Sequence, residues 1–153
     1  MNAASDRFWK LVGESGLWKG IGRLHTWLYQ LTGGTLGHQA GGFTNLLLTT
    51  TGRKSGERRT VPLTYMPDGE RYVLVASNGG ADRHPAWWLN LERSPRAQIQ
   101  VRGVTCDVVA GKADAAERAR LWPMLKAYNP FYAMYERLAA REIPVVILRP
   151  IEP

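Results

Sequence analysis

Hydrophobic and polar residues alternate through much of the chain from residue 43 onward, a pattern typical of strands that bury one face. The spacing predicts six strands: Phe43–Thr51, Thr60–Met66, Arg71–Ser77, Ala97–Val101, Val104–Lys112 and Val145–Leu148. Helical spacing interrupts them in three places: Ala86–Leu91, a helix capped at Asp114 that runs to Ala127, and a segment that carries Phe131 and Leu138. These elements predict an α+β, mainly β fold, a small antiparallel barrel with inserted helices.

Turn residues separate the predicted elements. The sequence predicts a turn at Pro67–Gly69, a glycine turn at Asn78–Gly80 and a hairpin at Arg102–Gly103. Asn129–Pro130 is expected to break the helical region in two, since proline cannot continue a helix. The strands therefore follow one another as a meander with helical insertions.

The first 42 residues differ in character from the rest. Apolar residues that include Trp9, Trp18 and Trp27 recur at helical spacing among basic residues, and the glycine-rich stretch Thr32–Gly42 follows as a connector. We therefore divide the chain into an N-terminal helical segment, 1–42, and a barrel domain, 43–153. The apolar face of the helix can pack on the barrel or on another subunit, or it can lie on an anionic membrane surface. The sequence alone leaves both possibilities open and assigns no oligomeric state.

Composition narrows the class of partner. With 153 residues and 44% hydrophobic content, the chain is long enough for one domain with a sizeable core. Its formal net charge of +7 favours an anionic partner. No stretch has the apolar length of a signal peptide or a membrane span, and the single cysteine, Cys106, is expected to fill space in the core. A cytoplasmic location is consistent with this cysteine content.

Conventional catalytic groups are scarce. The histidines are scattered and do not have the spacing of metal ligands: His25, His38 and His84. Four carboxylates fall in turns or at a helix exit, where we expect them to be solvated: Asp68, Glu70, Asp82 and Glu92. The chain also lacks a Gly-x-Ser-x-Gly motif. If the protein is an enzyme, its redox or transfer chemistry is expected to come from a bound cofactor, and no metal site is predicted.

One basic turn is the strongest candidate for a binding site. The segment Gly52–Arg59 carries four cations and one acid: Arg53, Lys54, Arg58, Arg59 and Glu57. Gly52 and Gly56 allow the backbone to curl and present its N–H groups, which suits an anion. The alternative is an ordinary solvated hairpin turn, because runs of charge are common on surfaces.

Several motifs in one collinear order resemble a known family. The segments TTTGRKSGERRTVPL, VLVASNGG, HPAWWLNL, WPML and IPVVILRP resemble the deazaflavin-dependent nitroreductases, which are coenzyme F420-dependent reductases of actinobacterial type. The resemblance covers the chain from about Phe43 to its end. It implies a split β-barrel that binds the reduced deazaflavin and passes a hydride from C5 of its ring to a quinone, a nitroaromatic or an activated enone.

The resemblance also implies roles for individual residues. Arg53, Lys54 and Arg59, with the backbone of Gly52, Ser55 and Gly56, would hold the cofactor's phosphate and acidic oligoglutamate tail. The ring system would contact a second set: Pro62, Leu63, Ala76, Ser77, Asn78, Gly79, Gly80, Trp87 and Asn90.

The same resemblance implies an acceptor side. Tyr132 and Tyr135 would lie over the acceptor, with Ser77 at the reactive edge of the ring. The alternative for the two tyrosines is an aromatic stripe in the core, because they are three residues apart on one helix. The chain departs from its relatives at Asn78, where a lysine occurs, and at Asn129, where a tyrosine can occur.

Three rival functions remain open at this point. An oxidoreductase that binds FMN would use a similar barrel, although a single phosphate needs fewer cations. A carrier for flavin-like molecules or haem breakdown products would need the pocket without space for an acceptor. A nucleic-acid-binding barrel would explain the positive charge, but its aromatic residues should lie on one strand face, whereas here they lie mainly on predicted helices. Nucleic acid is therefore not an expected partner.

Overall fold

The structure is a computed structural model that describes residues 39–40 and 43–151. The predicted N-terminal helix and most of its connector lie outside these residues. Eight strands are present in the described part: β1 (Gln39–Ala40), β2 (Phe43–Thr51), β3 (Arg58–Thr64), β4 (Met66–Asp68), β5 (Arg71–Val75), β6 (Arg96–Val101), β7 (Val104–Lys112) and β8 (Val145–Pro150). Three α-helices accompany them: α1 (Ala86–Arg93), α2 (Ala115–Tyr128) and α3 (Phe131–Leu138). A 3₁₀ turn spans Asn78–Gly80.

One bent strand closes the sheet into a barrel. Only Tyr65 separates β3 from β4, and β3 pairs with β2 while β4 pairs with β5, both antiparallel. The remaining pairs run β2–β6–β7–β8–β5, so the hydrogen-bonded path returns to its starting strand. Apart from the two-residue β1, the barrel has six strand positions when β3 and β4 are counted as one. The prediction of a mainly β, antiparallel barrel of about six strands is confirmed.

Helix α1 fills one part of the barrel interior. The inner faces of the strands form an apolar group, called here the inner cluster, that includes Leu46, Leu48, Leu74, Ala76, Ile99, Val108, Val146 and Leu148. Trp87, Trp88 and Leu91 of α1 pack into this cluster. Cys106 contacts the cluster as a half-buried side chain, which agrees with the prediction for the single cysteine. Burial raises the pKa of its thiol.

Helices α2 and α3 cover the outside of the barrel at β5 and β8. Val73 and Val75 alternate with Leu74 along β5 and therefore point to the opposite face. On that side they meet Leu121, Trp122, Leu125, Tyr132 and Ile147 in a second group, called here the outer cluster. No helix in the described part of the chain is long and apolar enough to cross a membrane.

Several predicted boundaries are wrong by a few residues. Pro67 and Asp68 belong to β4, and the turn that was predicted at Pro67–Gly69 lies at Gly69, where φ is +62°. The third strand was expected to reach Ser77 but ends at Val75. Both errors come from hydrogen bonding between strands, which continues or stops independently of the local residue pattern.

Asp68 is not a solvated turn residue, contrary to prediction. Its side chain is 14% exposed and forms ion pairs with Arg71 and with Arg120 of α2, the latter at 2.8 Å. Hydrogen bonds from Arg120 and Arg71 lower the pKa of Asp68 to about 2. This carboxylate therefore connects the β4–β5 hairpin to a helix that is distant in sequence.

Candidate functional site

The basic turn, Gly52–Arg59, is tightly closed by its own backbone. Gly52 N–H donates to Glu57 O at 2.7 Å, and Gly56 N–H donates to Gly52 O at 2.7 Å. A Cβ atom on Gly52 would lie only 2.9 Å from Ser55 Oγ, and Gly56 has a φ of +71°. A larger residue would therefore be crowded at position 52 and conformationally strained at position 56.

The four cations of the basic turn have different partners. Arg58 donates to Gln98 Oε1 at 3.0 Å, and Arg59 pairs with Glu57. Arg53 and Lys54 are exposed and pair with no carboxylate in the described part of the chain. The N–H groups of Lys54 and Ser55 likewise donate to no acceptor there. The turn thus leaves two cations and two N–H donors free, which suits an anionic ligand.

Asn90 of α1 fastens the basic turn to the barrel. Its side chain is 5% exposed, and Oδ1 accepts from Arg53 N–H at 3.0 Å while Nδ2 donates to Thr50 Oγ1 at 3.0 Å. Trp87, one turn earlier on α1, packs in the inner cluster with Ala76 and, at its edge, Leu63. Helix α1 therefore links the basic turn to the end of β5.

The chain leaves β5 through a second bend, Ala76–His84, called here the glycine corner. Asn78, Gly79 and Gly80 have positive φ values of 49°, 65° and 82°. A Cβ atom on Gly80 would lie 2.9 Å from Leu138 Cβ and 3.2 Å from Tyr135 Cα. Ser77 is 9% exposed, and Asn78 Nδ2 donates to Arg83 O at 3.1 Å. The corner therefore packs directly on α3, which carries the two tyrosines expected on the acceptor side.

The glycine corner is held from behind by a residue that sequence reasoning missed. Arg141, in the connection between α3 and β8, donates to the carbonyls of Ala76, Ser77, Ala81 and Arg83 at 3.1–3.2 Å. Its Nη1 lies 3.1 Å from His84 Nδ1. Burial and the nearby guanidinium lower the pKa of His84, which favours a neutral ring that can accept this hydrogen bond.

The two tyrosines of α3 occupy different environments. Tyr132 is 6% exposed in the outer cluster and stacks on Trp122 with ring centres 6.5 Å apart. Burial raises the pKa of Tyr132 to about 12, partly offset by a hydrogen bond with Asn129. Tyr135 is only partly buried, and its ring stacks on that of Phe131, which is 47% exposed. Tyr135 thus lies between the core and the surface beside Gly80.

The predicted site residues form two groups, the basic turn and the glycine corner with the two tyrosines, and these groups are in contact through α1 and the strand ends. Asn90, Trp87, Ala76 and the inner-facing Leu63 connect the basic turn with the glycine corner, and the corner connects with Tyr135 and through it with Tyr132. Pro62 is separate from Leu63, since neighbouring residues of a strand point to opposite faces. At most one of these two side chains can therefore contact a given face of a ring.

A shallow polar groove of about 230 Å³ lies on the outer face of β2, β6 and β7. Its lining includes Thr49, Arg58, Arg96, Gln98 and Asp107. Arg58 faces this groove, whereas Arg59 is on the opposite side of β3 by strand alternation. The groove contains none of the residues predicted to bind the cofactor, and it contains a carboxylate.

Comparisons with known proteins identify the family. A family model described as F420H(2)-dependent quinone reductase matches residues 21–150. An F420H(2)-dependent quinone reductase of Mycobacterium tuberculosis is 41% identical over 132 residues, covering 82% of this chain and 87% of the relative. The solved structure of an F420-H2 dependent reductase (FDR-A) is 36% identical with a TM-score of 0.63, covering 69% of this chain and 93% of that one. Another solved structure, described as a domain-swapped dimer, is 32% identical with a TM-score of 0.64 over 81% of this chain and 98% of its own. The chain therefore belongs to the F420H(2)-dependent quinone reductase family.

Proposed function

We propose that this protein is an oxidoreductase that uses reduced coenzyme F420 to reduce quinones. Membership of the quinone reductase family, matched over residues 21–150, carries this proposal. Nitroaromatics and activated enones are further acceptor classes of the same chemistry. An FMN-dependent reaction and a carrier function without turnover are the alternatives that the experiment below separates.

The basic turn fits the acidic end of this cofactor. A phosphate and a glutamate tail require cations and N–H donors, and the turn leaves four such groups free: Arg53, Lys54 and the N–H groups of Lys54 and Ser55. The one acidic side chain in the turn, Glu57, is neutralised by Arg59. The acidic tail can therefore bind the turn without meeting an unpaired carboxylate.

The ring end is assigned to the glycine corner. When bound, the reduced deazaflavin supplies a hydride from C5, so the protein needs no nucleophile of its own. Ser77, Asn78 and Gly79 would offer N–H groups to the edge of the ring, because these groups donate to no acceptor within the described residues. Trp87 and Asn90 would support this ring site from α1.

Tyr132 and Tyr135 are assigned to the acceptor side, with Ser77 near the reactive edge. The Tyr132 hydroxyl, protonated at neutral pH, would donate a hydrogen bond to an acceptor oxygen that gains negative charge. Tyr135 and the exposed Phe131 form an aromatic stack at the outer end of this path. Their role is to position the acceptor, while the hydride donor supplies the chemistry.

We also propose a location at the inner face of the cell membrane. The proposal is supported by the amphipathic, tryptophan-rich pattern of residues 1–31, which lies outside the described residues. Such a location would bring a cytoplasmic enzyme close to lipid-soluble quinones.

The function is tested by single-turnover oxidation of reduced F420 with a short-chain quinone, without oxygen. We expect quinone-dependent oxidation that slows when deuterium replaces hydrogen at C5 of the cofactor. Reduced FMN, offered under the same conditions, should support much slower turnover. Binding of F420 without quinone-dependent oxidation would favour the carrier alternative, and faster turnover with reduced FMN would favour the flavin alternative.

A further inference from the structure

Arg141 donates hydrogen bonds to the backbone of the glycine corner at four positions. Its guanidinium reaches four backbone carbonyls between Ala76 and Arg83, all within 3.2 Å. Asp82, a carboxylate of the same corner, interacts with Arg141 through its charge. Its bonds to the carbonyls of a single loop are therefore its main interactions.

These bonds orient the opposite side of the loop. In a trans peptide, the C=O of one residue and the N–H of the next point in opposite directions. Arg141 binds the carbonyls of Ala76 and Ser77, so the N–H groups of Ser77 and Asn78 point away from it. Neither N–H has an acceptor within the described residues. Both are among the donors assigned above to the ring of the cofactor.

We propose that Arg141 is a positioning residue that orients the backbone donors of the glycine corner toward the deazaflavin ring. The proposal rests on the proposed function, because it names the ring as the group that these donors meet. Arg141 acts from behind the corner and does not contact the cofactor. Its planar fork of donors can hold several carbonyls at once, which a lysine ammonium cannot reproduce.

The test compares Arg141→Ala and Arg141→Lys with Arg137→Ala. Arg137 is exposed, lies in the last turn of α3 and has no hydrogen bond or ion pair in the described part of the chain, so it controls for the loss of a nearby positive charge. Calorimetric titration uses two probes, F420 and a deazaflavin that lacks the phosphate and the glutamate tail. All titrations are made well below the lowest melting temperature among the variants.

Both Arg141 variants should bind the two probes about tenfold more weakly than the parent, by a similar factor for each, as expected for weakened hydrogen bonds to the ring. Arg137→Ala should bind both like the parent. Lys54→Ala should weaken binding of F420 and leave that of the tail-free probe unchanged. Added guanidinium ion should restore part of the affinity of Arg141→Ala. The Ser77 and Asn78 amides of ligand-free Arg141→Lys should exchange hydrogen at altered rates, since the corner is no longer held in place.

Two results overturn the inference separately from the function. If the parent binds both probes and Arg141→Lys binds them equally well, the orienting role of Arg141 is wrong, whatever Arg141→Ala does to folding. A loss confined to F420, with the tail-free probe unaffected, would also overturn it. A parent that binds neither probe overturns the proposed function, and with it the ring as the ligand of the corner.

Discussion

Arg53 and Lys54 extend from the basic turn without an ion pair in the described part of the chain, whereas Arg58 and Arg59 are bound to Gln98 and Glu57. Four cations that lie close together in the sequence therefore divide into two that are free and two that are occupied. Strand alternation also separates Arg58 from Arg59, because only Arg58 faces the outer groove.

Lys54→Ala should weaken F420 binding about tenfold at low salt, since one charge-assisted contact to the tail is lost. Arg58→Ala, which removes an equal charge on the outer face, should have a smaller effect. Titrations at several salt concentrations test this, because the difference between parent and Lys54→Ala should shrink as salt screens the contact. Equal affinity of Lys54→Ala and the parent at low salt would contradict the role of this turn.

Tyr132→Phe should slow quinone reduction while leaving the affinity for F420 nearly unchanged. The hydroxyl is assigned to the acceptor, so its loss removes stabilisation of the developing negative charge but no contact with the cofactor. Single-turnover rates with several quinones, beside an F420 titration, provide the measurement. A Tyr132→Phe chain with normal rates would support the alternative of a core residue, which its contact with Trp122 also permits.

For single residues, the sequence predicted which side chains lie in the site better than it predicted which groups they contact. The two free cations were among the residues expected in the site, but nothing in the local pattern indicated Arg141, whose contacts are about 60 residues away in the chain. Asp68 was expected to be solvated because its neighbours are turn residues. One of its two ion-pair partners, Arg120, is contributed by a helix that the barrel topology brings to it.

Gly80 couples the glycine corner to helix α3. Gly80→Ala should destabilise the protein more than Gly69→Ala, because both glycines have positive φ but only a Cβ on Gly80 would lie 2.9 Å from another side-chain carbon. Gly69 has open space around the same atom, so this variant measures backbone strain alone. Thermal melts of the two variants give the comparison, and a smaller loss for Gly80→Ala would contradict tight packing between the corner and the helix.

Strand and helix positions were largely predictable, because alternation and helical spacing are local properties of the sequence. The break between β3 and β4 at Tyr65 was not predictable. Leu63 and Tyr65 face inward and Met66 faces outward, so the alternation continues through the break without a visible change. Hydrogen bonding changes partner at this residue from β2 to β5. A change of partner depends on strands that are distant in the chain, and a local pattern contains no record of it.

The acid stability of the whole molecule should depend on Asp68. Its pKa is about 2 in the folded protein, against 3.8 for the ordinary side chain, so its ion pairs with Arg120 and Arg71 stabilise the fold above about pH 4. This stabilisation is lost as pH falls from 4 toward 2. Unfolding by denaturant across that range should show a shallower pH dependence for Asp68→Asn than for the parent.

Glu92→Gln is the matched control, because Glu92 is exposed and has no ion pair in the described part of the chain. It should keep the pH dependence of the parent between pH 4 and 2. If Asp68→Asn also kept that dependence, the ion pairs of Asp68 would not be a source of acid stability.

The proposed membrane contact depends on the N-terminal segment. The full chain should sediment with anionic liposomes, and a chain that begins near Gly41 should not, because the shorter chain lacks the tryptophan-rich face. Neutral liposomes serve as the control for the contribution of positive charge. If the full chain ignores both kinds of liposome, packing of this segment on the barrel or on another subunit remains the better explanation.

The position of β8 has a consequence for the order in which the protein matures during synthesis. β8 pairs with β7 on one side and with β5 on the other, although it follows both in the chain. Until the ribosome has released residues 145–150, β5 and β7 each lack a neighbour, and their open edges can pair with other nascent chains. Arg141 also leaves the ribosome late, just before this strand, so the hydrogen bonds that hold the glycine corner form only near the end of synthesis. An arrested nascent chain that stops before β8 should therefore be the form most in need of a chaperone.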